Sequence, residues 1–147
     1  MSPAKKPFTI VVAEDDPDDR MLTEDAFREC SMGSDLRFVD NGELLMDYLY
    51  RRAPYGEAPR PGLILLDLNM PRMDGREALA LIKADPQLKA IPVIALTTSP
   101  SEEDIQRSYS DGVNSYIVKP ESFSGLVEVV RGLALYWFQL VELPGES

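Results

Sequence analysis

Short, continuous apolar runs alternate along this chain with longer segments whose apolar residues recur every three to four positions. Phe8–Ala13 (FTIVVA), Leu63–Leu66, Ile91–Leu96 and Ser115–Val118 are too short and too unbroken for amphipathic helices and read as strands. Leu36–Val39 is a weaker fifth strand. Between them the pattern predicts helices. Asp16 caps the first, with Pro17 at its first position, Asp19 turned back toward the cap, and Met21, Leu22, Ala26 and Phe27 on its apolar face. After the Asn41-Gly42 turn, Leu44, Leu45, Tyr48 and Leu49 mark the second helix, and Ala78, Leu79 and Ile82 mark the third. Ser101 and Asp104 form a capping pattern for the fourth, and Ser122 caps the last. Residues 53–62 read as a loop from their proline and glycine content.

Five strands alternating with five helices imply an α/β fold with a parallel sheet and right-handed crossovers. Strands this apolar are covered on both faces. In such a sheet, ligands bind beyond the carboxyl ends of the strands. The polar residues that follow the strand patterns, Asp15, Asp67, Thr97 and Lys119, therefore share one edge. With no repeats and no low-complexity linker, residues 1–147 read as one domain, with 1–6 and 144–147 disordered.

Composition narrows the chemistry. The chain has 147 residues, a net charge of −10, no histidine and one cysteine, Cys30. The absence of histidine removes Ser-His-Asp and Cys-His catalysis and His-ligated zinc. The acidity argues against a nucleic-acid partner. No apolar run approaches the roughly 20 residues a membrane helix needs. The start, MSPAKKPF, carries no apolar signal segment, and the lone thiol fits a reducing compartment, so a cytoplasmic location is expected.

Gathering Glu14, Asp15 and Asp67 at one edge needs compensation, because two unit charges about 5 Å apart repel by roughly 3 kcal/mol at an effective dielectric of about 20. Magnesium, which prefers oxygen ligands, is one source, and Lys119, a compact point charge, is another. Asp15 and Asp67 would ligate through carboxylates and Asn69 through its backbone carbonyl. Asp67 could then act as a nucleophile toward phosphorus, with Thr97 or Thr98 donating a hydroxyl to the new phosphoryl oxygens.

The segments VVAEDDP, LLDLNMPRMDG, PVIALTTS and YIVKP, in this order and spacing, resemble the receiver domain of two-component response regulators over Ile10 to about Leu143. The resemblance implies a flavodoxin-like, doubly wound five-stranded parallel sheet of strand order 2-1-3-4-5, with five helices and an extended C-terminal helix. It implies Asp67 as phosphoacceptor and Asp15 as direct metal ligand, with Glu14 ligating directly or through water. Thr97 becomes the switch hydroxyl, Lys119 the phosphate-contacting lysine and Tyr116 the switching aromatic, with Lys119–Pro120 cis. The cofactor implied is Mg2+, with Mn2+ or Ca2+ able to substitute, and the partner is a sensor histidine kinase. The 53–62 loop, MDGREALALIKADPQLKAIPV, LTTS and YWFQLVELP resemble more narrowly the single-domain regulators that partner phytochrome-type kinases. A signalling module is thus expected rather than an enzyme, with no output domain.

Two other readings compete. A magnesium-dependent aspartyl-phosphate phosphatase typically has a second acid two residues after the nucleophile, where this chain has Asn69. A flavin-binding module needs a phosphate-cradling loop after the first strand, where EDDPDD is acidic.

The last helix pattern runs from Phe123 to about Val141, roughly 28 Å at helical rise. Phe123, Leu126, Val127, Val130, Leu133, Ala134 and Trp137 should face the sheet. Leu135, Tyr136, Phe138 and Leu140 fall on other faces, where the helix overhangs. The expected consequence is a homodimer through Leu135, Tyr136, Trp137, Phe138, Leu140 and Val141, together with the face of the fourth helix and fifth strand.

Overall fold

A computed structural model describes residues 9–30, 35–68, 70 and 73–140, with side chains described as far as Trp137. The elements alternate as β1 (Thr9–Ala13), α1 (Pro17–Glu29), β2 (Asp35–Val39), α2 (Gly42–Leu49), β3 (Leu63–Leu66), α3 (Gly75–Ala84), β4 (Val93–Thr97), α4 (Glu102–Asp111), β5 (Ser115–Val118) and α5 (Phe123–Leu133). All strand pairs are parallel, in the order β2-β1-β3-β4-β5. This is the expected doubly wound sheet.

Side-chain alternation along the strands sorts the core into two layers. Val11, Ala13, Ile64, Leu66, Val93 and Ala95 pack under α2 and α3 with Leu45, Met46, Ala78, Leu79 and Ile82. Ile10, Val12, Leu63, Leu65 and Ile94 face the other way, onto Ala26 and Phe27 of α1 and Leu126, Val127, Val130 and Leu133 of α5. The central strands β1, β3 and β4 are buried throughout, which is why they read as unbroken apolar runs.

Several expectations are corrected. β4 starts at Val93 rather than Ile91, because Pro92 has no N–H for the ladder and the Ile91 N–H turns back to the Leu88 carbonyl at 3.0 Å. On α1, Met21 and Leu22 are exposed and Thr23 takes the inward position with Ala26 and Phe27. Phe123 is likewise 41% exposed, because it opens α5 at the rim of the sheet. The α-helical winding of α5 ends at Leu133, and Ala134–Leu140 continues as a π-helix, a wider winding than the single α-helix the unbroken apolar pattern suggests. A cis bond is not found at Lys119–Pro120; among the described residues it falls at Ala53–Pro54. The termini expected to be disordered lie outside the described residues.

Candidate functional site: an acidic edge closed by one lysine

The parallel order brings the ends of β1, β3, β4 and β5 to one edge, and each contributes. Glu14 and Asp15 follow β1 directly, the first buried and the second exposed. Asp67 follows β3 and is 9% exposed. Thr97 is the last residue of β4 and fully buried, whereas Thr98 beside it is exposed. Lys119 follows β5, where its N–H donates to the Thr97 carbonyl at 2.7 Å and ties the two strand ends together.

The turn that carries Asp67 is fixed by close packing. The Asp67 N–H donates to the Ala13 carbonyl at 3.1 Å, and the Gly75 N–H to the Leu68 carbonyl at 3.1 Å. A Cβ on Gly75 would lie 2.4 Å from the Asp67 carbonyl oxygen, so only glycine lets α3 start this near the strand end. Asp74 then caps α3, accepting from the Glu77 N–H at 2.9 Å.

One carboxylate oxygen from each of Glu14, Asp15 and Asp67 lies within 4.8 Å of the others. Among the described residues, the ammonium of Lys119 closes this edge. It donates to Glu14 Oε1 and, at 3.0 Å, to Asp19 Oδ2, and its Nζ lies 3.7 Å from Asp67 Oδ2. Glu14 Oε2 accepts the Asp16 N–H at 3.2 Å. Burial pushes the Glu14 carboxyl up to about 7 against the pull of Lys119. Burial alone would lower the Lys119 ammonium, but its bonds to Glu14 and Asp19 hold it above its usual range. One lysine does not neutralise three clustered carboxylates. The remaining charge and the all-oxygen donor set fit a hard divalent cation.

Tyr116, in β5, is half-buried and donates its hydroxyl to the Ser99 carbonyl at 2.8 Å, which pins the β4–α4 connection. Ser99 Oγ donates to Asp104 Oδ2 at 2.7 Å, and Arg76 of α3 reaches Asp104 at 3.5 Å. Asn69, given a carbonyl role from the sequence, lies outside the described residues. Of the expected interface residues, Leu135 and Tyr136 are about half exposed, and Trp137 is buried against its own core. Phe138, Leu140 and Val141 lie outside the described side chains. The residue missed is Asp19. Its carboxylate does not close the capping box, because Glu14 already takes the Asp16 N–H, and it pairs with Lys119 instead. Nothing local to PDDR signals a partner 100 positions away.

Comparison with known proteins gives the same answer. A family profile for the response regulator receiver domain matches residues 10–131. Response regulator Rcp1 of Synechocystis sp. is 40% identical over 138 residues, covering 94% of each chain. The crystal structure of the Mn(2+)-bound form of Rcp1 is similar with a TM-score of 0.87, covering 95% of this chain and 100% of that one. The phosphorylated cyanobacterial phytochrome response regulator RcpA is similar at 0.89 and 41% identity, covering 95% and 100%. Response regulator RPA3017, in red light signaling of R. palustris, is similar at 0.88 and 43% identity, covering 95% and 99%. With its strand order, its acidic edge and its opposing lysine, the chain belongs to the response regulator receiver domain family.

Proposed function

We propose that the chain is a phosphorylation-dependent signalling receiver that accepts a phosphoryl group on Asp67 from the histidine of a partner sensor kinase. Its role is that of a signalling module, and the transfer and later loss of phosphate are the chemistry it performs. The observation that carries this reading is the gathering of Glu14, Asp15 and Asp67 within 4.8 Å opposite Lys119. An Asp67 carboxylate oxygen attacks phosphorus. As the new P–O bond forms, the bond from phosphorus to the donor nitrogen breaks, and its electron pair stays on the imidazole.

Asp15, Asp67 and the Asn69 carbonyl would hold Mg2+, with Mn2+ or Ca2+ able to replace it. Both Glu14 oxygens already accept hydrogen bonds, which favours contact through water. A cation held there supplies positive charge opposite the transferring oxygens. Lys119 supplies a second positive charge, and the Thr97 or Thr98 hydroxyl would donate to a phosphoryl oxygen. Tyr116 follows the β4–α4 connection through Ser99, so a phosphoryl group that draws on Thr97 biases that connection between two arrangements. The test is incubation with magnesium and a small acyl phosphate. Acid-stable, base-labile phosphate should appear on the wild type and vanish in Asp67→Ala; a wild type that takes up none contradicts the reading.

The similarity to RcpA and RPA3017 supports a phytochrome-type kinase as the donor. Among the described residues no helix is long and apolar enough to cross a membrane; a cytoplasmic location goes with the proposed kinase partnership. Two copies pair through the overhanging end of α5. There Leu135 and Tyr136 are exposed, and buried Trp137 backs Tyr136 edge to face at 5.2 Å. Tyr109 of α4 and Val118 of β5, also exposed, belong to the α4–β5 face assigned to the same pairing. Sedimentation should show a dimer that Leu135→Glu with Tyr136→Glu converts to a monomer; a monomeric wild type at tens of micromolar would refute the pairing.

A further inference from the structure

We propose that Asp19 is a positioning residue for Lys119: it holds the ammonium on the α1 side of the acidic edge, and a phosphoryl group on Asp67 must draw the lysine away from it. This inference rests on the reading of Asp67 as phosphoacceptor.

The geometry is specific. Lys119 Nζ has three protons to give. One goes to Glu14 Oε1 and one to Asp19 Oδ2 at 3.0 Å. Asp67 Oδ2, at 3.7 Å, lies within ion-pair range but beyond hydrogen-bond range. The lysine is therefore bonded to the carboxylate that follows β1 and to one in the first turn of α1, and only electrostatically attached to the one that is to be modified. The backbone of Asp19 is held in the helix start. Its own N–H donates to Asp16 Oδ1 at 3.3 Å in the first turn of α1, and a negative side chain in that turn is favoured by the helix dipole. The pair is partly sheltered: the Lys119 side chain is 12% exposed and that of Asp19 37%. Asp19 does not serve as a capping-box acid, since the Asp16 N–H that such an acid would accept is bonded to Glu14.

A phosphoryl group replaces the single charge of the Asp67 carboxylate with close to two, spread over three acceptor oxygens. It then competes with Asp19 for the same ammonium, while the Asp19 charge opposes it directly. Both effects have one sign: Asp19 weakens the hold of the site on a phosphoryl group. Only the first effect acts through Lys119, which makes the two separable.

Beryllium trifluoride, which carries the charge and shape of a phosphoryl group, allows an equilibrium test by calorimetric titration of the full chain in magnesium. Asp19→Asn keeps the shape and an acceptor oxygen but removes the charge, and should bind the probe about fivefold more tightly, the scale of one partly exposed ion pair. Asp19→Glu, which restores the charge, should return to the wild-type affinity. In a Lys119→Met background the same Asp19→Asn change should gain less than about twofold, since the lysine-mediated part is gone. Unchanged or weaker binding by Asp19→Asn would overturn the proposal, as would an equal gain without the lysine. If the wild type does not bind the probe and Asp67→Ala is no different, the phosphoacceptor reading itself falls and this inference with it. A wild type that binds through Asp67, with Asp19→Asn unchanged, removes the inference alone.

Discussion

Helices α3 and α4 are each ten residues long and each begins with a side-chain cap, yet they are held by different forces. Asp74 and Ser101 accept from the third backbone N–H of their helices at 2.9 and 3.3 Å. From there the two diverge. α3 buries Ala78, Leu79 and Ile82 in the layer beneath the sheet. α4 buries Ser108 alone, whose hydroxyl donates to the Asp104 carbonyl of its own helix. What ties α4 to its surroundings is largely polar: Ser99 donates to Asp104, Arg76 pairs with Asp104, and the Tyr109 hydroxyl accepts from the Tyr116 N–H at 3.1 Å. Apolar burial anchors one helix, and exchangeable polar contacts seat the other. The acidic edge lies between them, with Asp67 leading into α3 and Thr97 into α4. A phosphoryl group at Asp67, as proposed, would therefore meet an element that stays and an element that can shift.

The largest effect that would break this comparison is on stability. Ile82→Ala should lose about 2–5 kcal/mol, because it leaves a cavity in a close-packed layer. Tyr109→Ala, at 49% exposure, should lose about 1 kcal/mol or less, the worth of one hydrogen bond. Urea denaturation measures both, and equal losses would mean that α4 is as firmly packed as α3. Next in size, Gly75→Ala should cost about 1–3 kcal/mol, since its methyl must displace the Asp67 carbonyl. It should also weaken magnesium binding, which a purely remote packing defect would not do.

Tyr116→Phe should cost about 1 kcal/mol by leaving the Ser99 carbonyl without its donor. Amide hydrogen exchange should then quicken in α4 and stay unchanged in α3; an equal change in both would dissolve the contrast. The smallest effect is on pH dependence. The Glu14 carboxyl, raised by burial to about 7 in the metal-free fold, binds more protons folded than unfolded between its ordinary value and 7. Its contribution to metal-free stability is thus present at low pH and lost as pH rises through 7. A cation competes with that proton. Magnesium should bind about twofold more tightly at pH 8 than at pH 7, and this step should disappear in Glu14→Gln.

The frame was legible because its signals are local. β3 and β5 lie at Leu63–Leu66 and Ser115–Val118 as their runs read, and Asp16, Ser101 and Ser122 cap where their side chains predict. The acidic edge was legible because parallel topology fixes which strand ends meet. What stayed hidden depends on rotation and on distant partners. Met21 and Leu22 are apolar but face outward, because the cap and the packing of Ala26 and Phe27 set how α1 turns. Asp19 looked like a capping acid until β5 brought Lys119 to it. The change to π winding after Leu133 leaves no mark in a hydrophobic pattern that continues without a break.

The most direct measurement is chemical trapping of the modified residue. The chain is treated with a small acyl phosphate and magnesium, reduced with borohydride, digested and sequenced. Reduction of an aspartyl phosphate leaves homoserine, and the account predicts it at position 67, dependent on magnesium and absent when Asp67 is replaced by Ala. Homoserine at Asp15, Asp19 or another acid, with Asp67 unmodified, would contradict it.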